Sequence, residues 1–183
     1  MPRPLALPQP EFSRPVEVDR IGSEGVSLEI EADALEREAL ARRFALVSLD
    51  RLKAKAEIFP VSRNLFRVEA SFEADLVQTC VVTLDPVPAQ LSESFSALFG
   101  EGGPGMGALF AGEDGEDEPE PIEGGAIDLG ETVAQHLALS LDPYPRKPGA
   151  SVPAEYAPGK DEESRGKVKP FAELGALKPL RER

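Results

Sequence analysis

The sequence predicts an α+β domain: a curved antiparallel β-sheet, able to take a barrel-like form, with two main helices and a long disordered acidic loop. Three observations predict it. Long apolar–polar alternations over residues 52–58, 66–82 and 87–99 have the period of strands. Two other stretches, after Asp33 and after Asp128, place apolar residues at helical spacing. Between Gly100 and Gly125 the periodicity vanishes into glycine and then acid, a composition that cannot bury enough apolar area to offset its ordering entropy. At 183 residues, with 18 prolines and 16 glycines, the chain has length for one core plus irregular segments.

Residues 1–12 are proline-rich and read as an extended N-terminal segment. A single domain spans residues 13–149, interrupted by the loop at 100–125. Ser13 to Ile21 reads as a first strand, with Pro15 placing it at an edge. Val26-Ser-Leu-Glu-Ile-Glu alternates as a second strand. Asp33 followed by Glu36 forms a capping-box pattern that opens a helix through Phe44, with Leu35, Ala39, Leu40 and Phe44 as its apolar stripe. Leu52, Ala54, Ala56 and Ile58 alternate with charged residues in a one-sided strand that ends at Pro60. The longest run, Phe66 to Val82, carries Phe72, Gln78 and Cys80 on one face. A turn at Asp85-Pro86 leads into Val87–Phe99, its antiparallel neighbour. Leu129, Val133, Leu137 and Leu141 line the second helix, which Pro143 ends. Residues 150–183 form an irregular tail, in which Phe171–Lys178 has the pattern of a short docking helix.

Charge is strongly polarised. The net charge is −13, yet no lysine or arginine lies between Arg67 and Arg146, where 16 of the 33 acids are found. The remaining 17 acids are outnumbered by the chain's 20 bases. Such a centre repels nucleic-acid phosphate and attracts basic proteins. No run reaches the roughly 18 apolar residues of a membrane span, and the first residues lack the pattern of a signal peptide. One cysteine cannot form an internal disulfide, so a cytoplasmic protein without a membrane partner is expected.

Four features merit a chemical reading. Gly100-Glu-Gly-Gly-Pro-Gly has dinucleotide-loop spacing, but it runs into acids with no cation near in sequence, so a linker and no cofactor is expected. Cys80 and His136 are each the only residue of their type and together would suit a cysteine hydrolase. A thiol in an apolar strand far from any base has its pKa raised and packs as a small hydrophobe, so no catalytic role is assigned to it. The run containing Glu113, Asp114, Glu116, Asp117 and Glu118 lacks the ligand order of a calcium loop and reads as a solvated lure for a basic partner. Arg37, Arg42, Arg43, Arg51, Lys53 and Lys55 form a basic cluster that could touch RNA or a partner, against the plainer reading of an ordinary charged helix and strand face. One cysteine and one histidine are too few for a structural zinc site, and no small-molecule substrate is expected.

Two stretches resemble a known family. Gln78-Thr-Cys-Val-Val-Thr-Leu-Asp-Pro-Val is similar to the central motif of YceD-type proteins, also called large ribosomal RNA subunit accumulation proteins. Ile127-Asp-Leu-Gly-Glu-Thr-Val-Ala-Gln-His-Leu-Ala-Leu-Ser-Leu-Asp-Pro-Tyr-Pro-Arg-Lys-Pro resembles the second block as alphaproteobacterial members carry it. Against the family pattern Cys-x-Arg-Cys-Leu-x-Pro, Cys80, Leu84 and Pro86 match, whereas Val82 stands at the arginine and Thr83 at the second cysteine. In the second block Asp128, Leu129, Asp142, Pro143, Tyr144 and Pro145 carry the likeness. Many relatives place cysteines where this chain has Tyr144-Pro-Arg-Lys, so no metal-binding role transfers. The resemblance implies a non-enzymatic role in large-subunit ribosomal RNA accumulation. The acidic centre points to a ribosomal or ribosome-assembly protein as partner, with direct contact to ribosomal RNA through Arg37–Lys55 as the alternative.

Overall fold

The structure, a computed structural model, describes residues 10–100 and 119–152. The chain falls into two units, Met1–Pro148 and Gly149–Arg183. In the second, the described residues 149–152 form no helix or strand. The first unit contains β1 (Pro15–Glu17), β2 (Val26–Glu31), α1 (Ala34–Arg43), β3 (Ser48–Ser62), β4 (Leu65–Thr79) and β5 (Pro86–Gly100). After the undescribed stretch come β6 (Glu120–Pro121), β7 (Ala126–Asp128) and α2 (Leu129–Ser140).

The main sheet has the order β2-β3-β4-β5-β6. Its pairs are antiparallel except for the short parallel contact of β5 with β6. The α+β class holds; a barrel does not form. The sheet is open because its edges are a six-residue and a two-residue strand, which do not pair with each other.

Alternation sorts the two sheet faces. Leu52, Ala54, Ala56 and Ile58 of β3 and Phe66, Val68, Ala70, Phe72, Ala74 and Leu76 of β4 point into the core. Helix α2 adds Leu129, Val133, Ala134 and Leu137, all fully buried. At the seam between sheet and α2, Phe72 lies 6.5 Å from Phe95 in a tilted pair. The Phe95 ring stacks on His136 at 3.6 Å with the planes 8° apart. Burial holds the His136 pKa below its ordinary value by desolvating the imidazolium.

Helix α1 starts as its sequence predicts. The Asp33 carboxylate accepts from the Leu35 and Glu36 amides, and the Glu36 carboxylate accepts from the Asp33 amide at 2.8 Å. Its buried face is Leu40 and Ala41; Leu35, expected in the stripe, is exposed. The helix ends with the Leu46 amide on the Ala41 carbonyl and the Ala45 amide on the Arg42 carbonyl, which places Ala45 at φ 54°. A Cβ is disfavoured in that left-handed conformation. Ala45→Gly is therefore expected to stabilise the fold by about 0.5–1 kcal/mol, read as a raised midpoint in urea denaturation.

Several expected boundaries shift. Ser13–Ile21 is not one strand: β1 pairs with β7 away from the main sheet, and Val18–Arg20 forms a 3-10 turn. Phe12, placed in the extended N-terminal segment, is fully buried in the core. Strand β3 continues through Pro60 to Ser62, because Pro60 lies at the hairpin end where the ladder with β4 shifts register. Strand β4 stops at Thr79 rather than Val82, since the chain turns at Cys80. The loop expected at 100–125 is ordered at its far end, where β6 and a bridge from Glu123 to Ala126 form. The remainder of that loop and the Phe171–Lys178 segment lie outside the described residues.

Candidate functional site

The residues that carry the family likeness assemble at two places. The first is the corner where β4 turns into β5. The Cys80 amide donates to the Asp85 carbonyl at 2.8 Å and the Leu84 amide to the Cys80 carbonyl at 3.0 Å, closing a tight loop. Leu84 takes φ 61° at its tip, with its side chain exposed. The segment after α2 docks alongside: the Val81 amide donates to the Pro145 carbonyl at 2.9 Å, and Gln78 Nε2 to the Asp142 carbonyl at 2.9 Å. The Asp142 side chain accepts from the Tyr144 amide, which shapes the turn at Asp142-Pro143-Tyr144. Pro145 is buried beneath, whereas Tyr144 is exposed.

The Cys80 sulfur lies where the two loops meet. It is fully buried and accepts from the Thr83 and Lys147 amides, each at 3.4 Å. Lys147 also reaches Asp85 through Nζ at 3.0 Å, tying the loops together on the outside. The sequence places Cys80 in a strand with a raised pKa, and the turn reverses that expectation. Hydrogen bonding from the Lys147 amide, then from Thr83, draws the thiol down from 9.0 to about 6 against the opposing effect of burial. A thiol lowered on folding contributes stability fully above pH 9, and that contribution is lost as pH falls through about 6. Cys80→Ser should flatten the rise of the urea midpoint with pH across this window; an unchanged slope would contradict the assignment.

The cysteine–histidine pairing is not assembled. His136 stacks on Phe95, and Phe95 pairs with Ala70 of β4, ten positions before Cys80. That separation along an extended strand is on the order of 30 Å, far beyond proton-transfer reach. Burial also closes the Cys80 sulfur to substrate. Among the described residues, no group of three or more histidine, cysteine, aspartate or glutamate side chains converges to hold a metal ion.

The second place is the start of α2. Asp128 caps this helix by accepting from the Gly130 and Glu131 amides at 3.1 and 3.2 Å. The same carboxylate accepts from the Arg14 amide at 2.8 Å and the Ser13 hydroxyl at 2.5 Å, while the Leu129 amide donates to the Arg14 carbonyl. Asp128 thus latches the N-terminal strand to α2. Sequence reading missed Ser13 and Arg14 as its partners, because backbone contacts across more than a hundred residues leave no local pattern.

The basic cluster is already occupied. Arg43 makes a two-pronged contact with Glu131 and a further one with Glu11, and these bonds raise its pKa. Arg42 pairs with Glu38 and Arg51 with Glu73. Lys53 and Lys55 both reach Glu29. Arg37 donates to the Ala32 carbonyl at 2.7 Å. Arg37, Arg42 and Arg43 lie on α1 and Arg51, Lys53 and Lys55 on β3, which packs against it, and each has an acceptor beside it. Of the acids, Glu69, Glu73 and Asp75 alternate along the solvent face of β4, opposite Ser96, Ser92 and Gln90 of β5. Glu113, Asp114, Glu116, Asp117 and Glu118 lie outside the described residues.

Among the described residues no helix is long and apolar enough to cross a membrane. Neither the curated proteins nor the solved structures contain a match to this chain. A protein-family model does match, over residues 68–178, from the β4 ladder through the Cys80 corner, α2 and beyond. That span is more than half of the chain and holds the Cys80 corner and the start of α2, so the chain belongs to the YceD family, described as Large ribosomal RNA subunit accumulation protein YceD.

Proposed function

We propose that this protein supports accumulation of large-subunit ribosomal RNA, and so ribosome assembly, by holding a basic ribosomal or assembly protein against its acidic half. One observation carries the reading: 16 acids and no lysine or arginine lie between Arg67 and Arg146. A field of one sign steers a cationic partner in and repels RNA phosphate. Glu73, Asp85 and Glu131 of that stretch are paired with Arg51, Lys147 and Arg43, while the other bases of α1 and β3 are engaged by neighbouring acceptors outside it. RNA binding gains much of its free energy when lysines and arginines displace counterions from the phosphates into bulk solvent, and side chains already paired with carboxylates contribute less to that release. Shielding a cationic protein until it meets RNA is binding work and needs no catalytic group.

Affinity purification from cells that make the protein, with bound protein and RNA identified together, tests this. A basic large-subunit or assembly protein should be retained, survive ribonuclease and be lost at high salt. Retention of no such protein at either salt would refute the proposal. Loss on ribonuclease treatment would transfer the function to direct RNA contact.

A further inference from the structure

Among the described residues, strand β5 has a long unpaired edge. It pairs with β4 without a register shift from Pro86 to Gly100. On its other side β6 meets only Phe99 and Gly100, so among the described residues no strand pairs with that edge from Pro86 to Leu98. Sheets guard such edges with lysine, proline, bulges or an inward-pointing charge, since the unpaired amides and carbonyls template another strand. In β5 the prolines are confined to the start, at Pro86 and Pro88, and lysine is absent. The guard beyond them is Glu93. It falls in the inward phase, opposite Phe72, and yet is exposed.

A negative guard is selective. It opposes an apolar or acidic strand and accepts one with a positive charge at the facing position. Two copies of β5 would bring two such edges together with no base on either. The two faces of the edge set the rest of the pattern. Ala89, Leu91, Phe95 and Ala97 pack on the core and are only half-buried, leaving apolar surface for one more strand to cover. Ser92, Ser94 and Ser96 are exposed on the opposite face, beside the acids of β4. Glu69 and Glu93 make no ion pair among the described residues.

We propose that the edge of β5 between Ala89 and Ala97 takes an extended cationic segment of the protein partner as an added strand, with a lysine or arginine facing Glu93. This rests on the acidic-half reading and names its contact. Backbone pairing supplies affinity and the alternation supplies selectivity, as in other strand-addition complexes.

The test uses the full chain and a synthetic peptide alternating lysine with valine, with a glutamate–valine peptide as control. The lysine peptide should bind and slow amide exchange across Ala89–Ala97. Glu93→Lys, an exposed change, should weaken it about tenfold, with Glu93→Gln between. Equal binding of the glutamate peptide overturns the inference. So does slowed β5 exchange that appears without peptide and grows with protein concentration, which assigns the edge to a second copy. Binding of the lysine peptide with protection elsewhere overturns strand addition and leaves the acidic-half reading standing. Binding of neither this peptide nor any basic ribosomal protein removes both.

Discussion

Gly130→Ala is expected to destabilise the fold by about 3 kcal/mol. A Cβ at this position would overlap the Phe12 carbonyl and stand 3.0 Å from the Arg14 nitrogen. Both are backbone atoms; the Arg14 amide is held by Asp128, and the Phe12 carbonyl lies just before it on a segment whose side chain is fully buried, so neither swings aside freely. Relief requires moving residues 12–14 away from α2. That movement partly unseats Phe12, which is fully buried, and sacrifices apolar burial besides the strain. Urea denaturation should show a lower midpoint at an unchanged slope. A loss below about 1 kcal/mol would mean that the latch yields cheaply and does not hold the N-terminal strand.

Phe72→Ala should cost about 4 kcal/mol, within the range for a large aromatic lost from a packed core. Phe72 is 2% exposed and occupies the centre of β4, where the sheet meets Phe95 and through it His136. Truncation leaves a cavity under this stack. Because desolvation is what lowers the His136 pKa, water entering the cavity should move that pKa up toward 6.5. Proton NMR titration of the single histidine reads this directly. Destabilisation with an unmoved His136 titration would place the cavity's effect elsewhere in the core.

Much of the fold was legible because its long elements are locally consistent. The inward series from Phe66 to Leu76 alternates without a break, and Asp33 with Glu36 announces the start of α1. The Cys80 corner was legible as a motif but not as a shape. Alternation continues through Cys80 to Val82 in the sequence, while the chain turns because Asp85, Pro145 and Lys147 claim its hydrogen bonds. Lys147, which follows α2 in the chain, and Thr83 within the turn lower the thiol's pKa and reverse its expected direction. The latch of Ser13 and Arg14 to Asp128 was invisible for the same reason. The basic cluster looked like a binding face in one dimension. Arg42 pairs with Glu38 within α1, but Glu29, Glu73 and Glu131 come from neighbouring strands and from α2, so the tertiary structure reveals most of its engagement.

The proposed role turns on a choice of ligand by charge: basic protein over RNA. It is tested most directly by measuring the purified full chain against two probes in parallel, the extracted proteins of the large ribosomal subunit and the naked large-subunit ribosomal RNA. Each is measured at low and high salt. Capture of one or more basic proteins at low salt, their release at high salt, and no retention of the RNA at either salt is the expected result. Retention of the RNA with none of the proteins would contradict it.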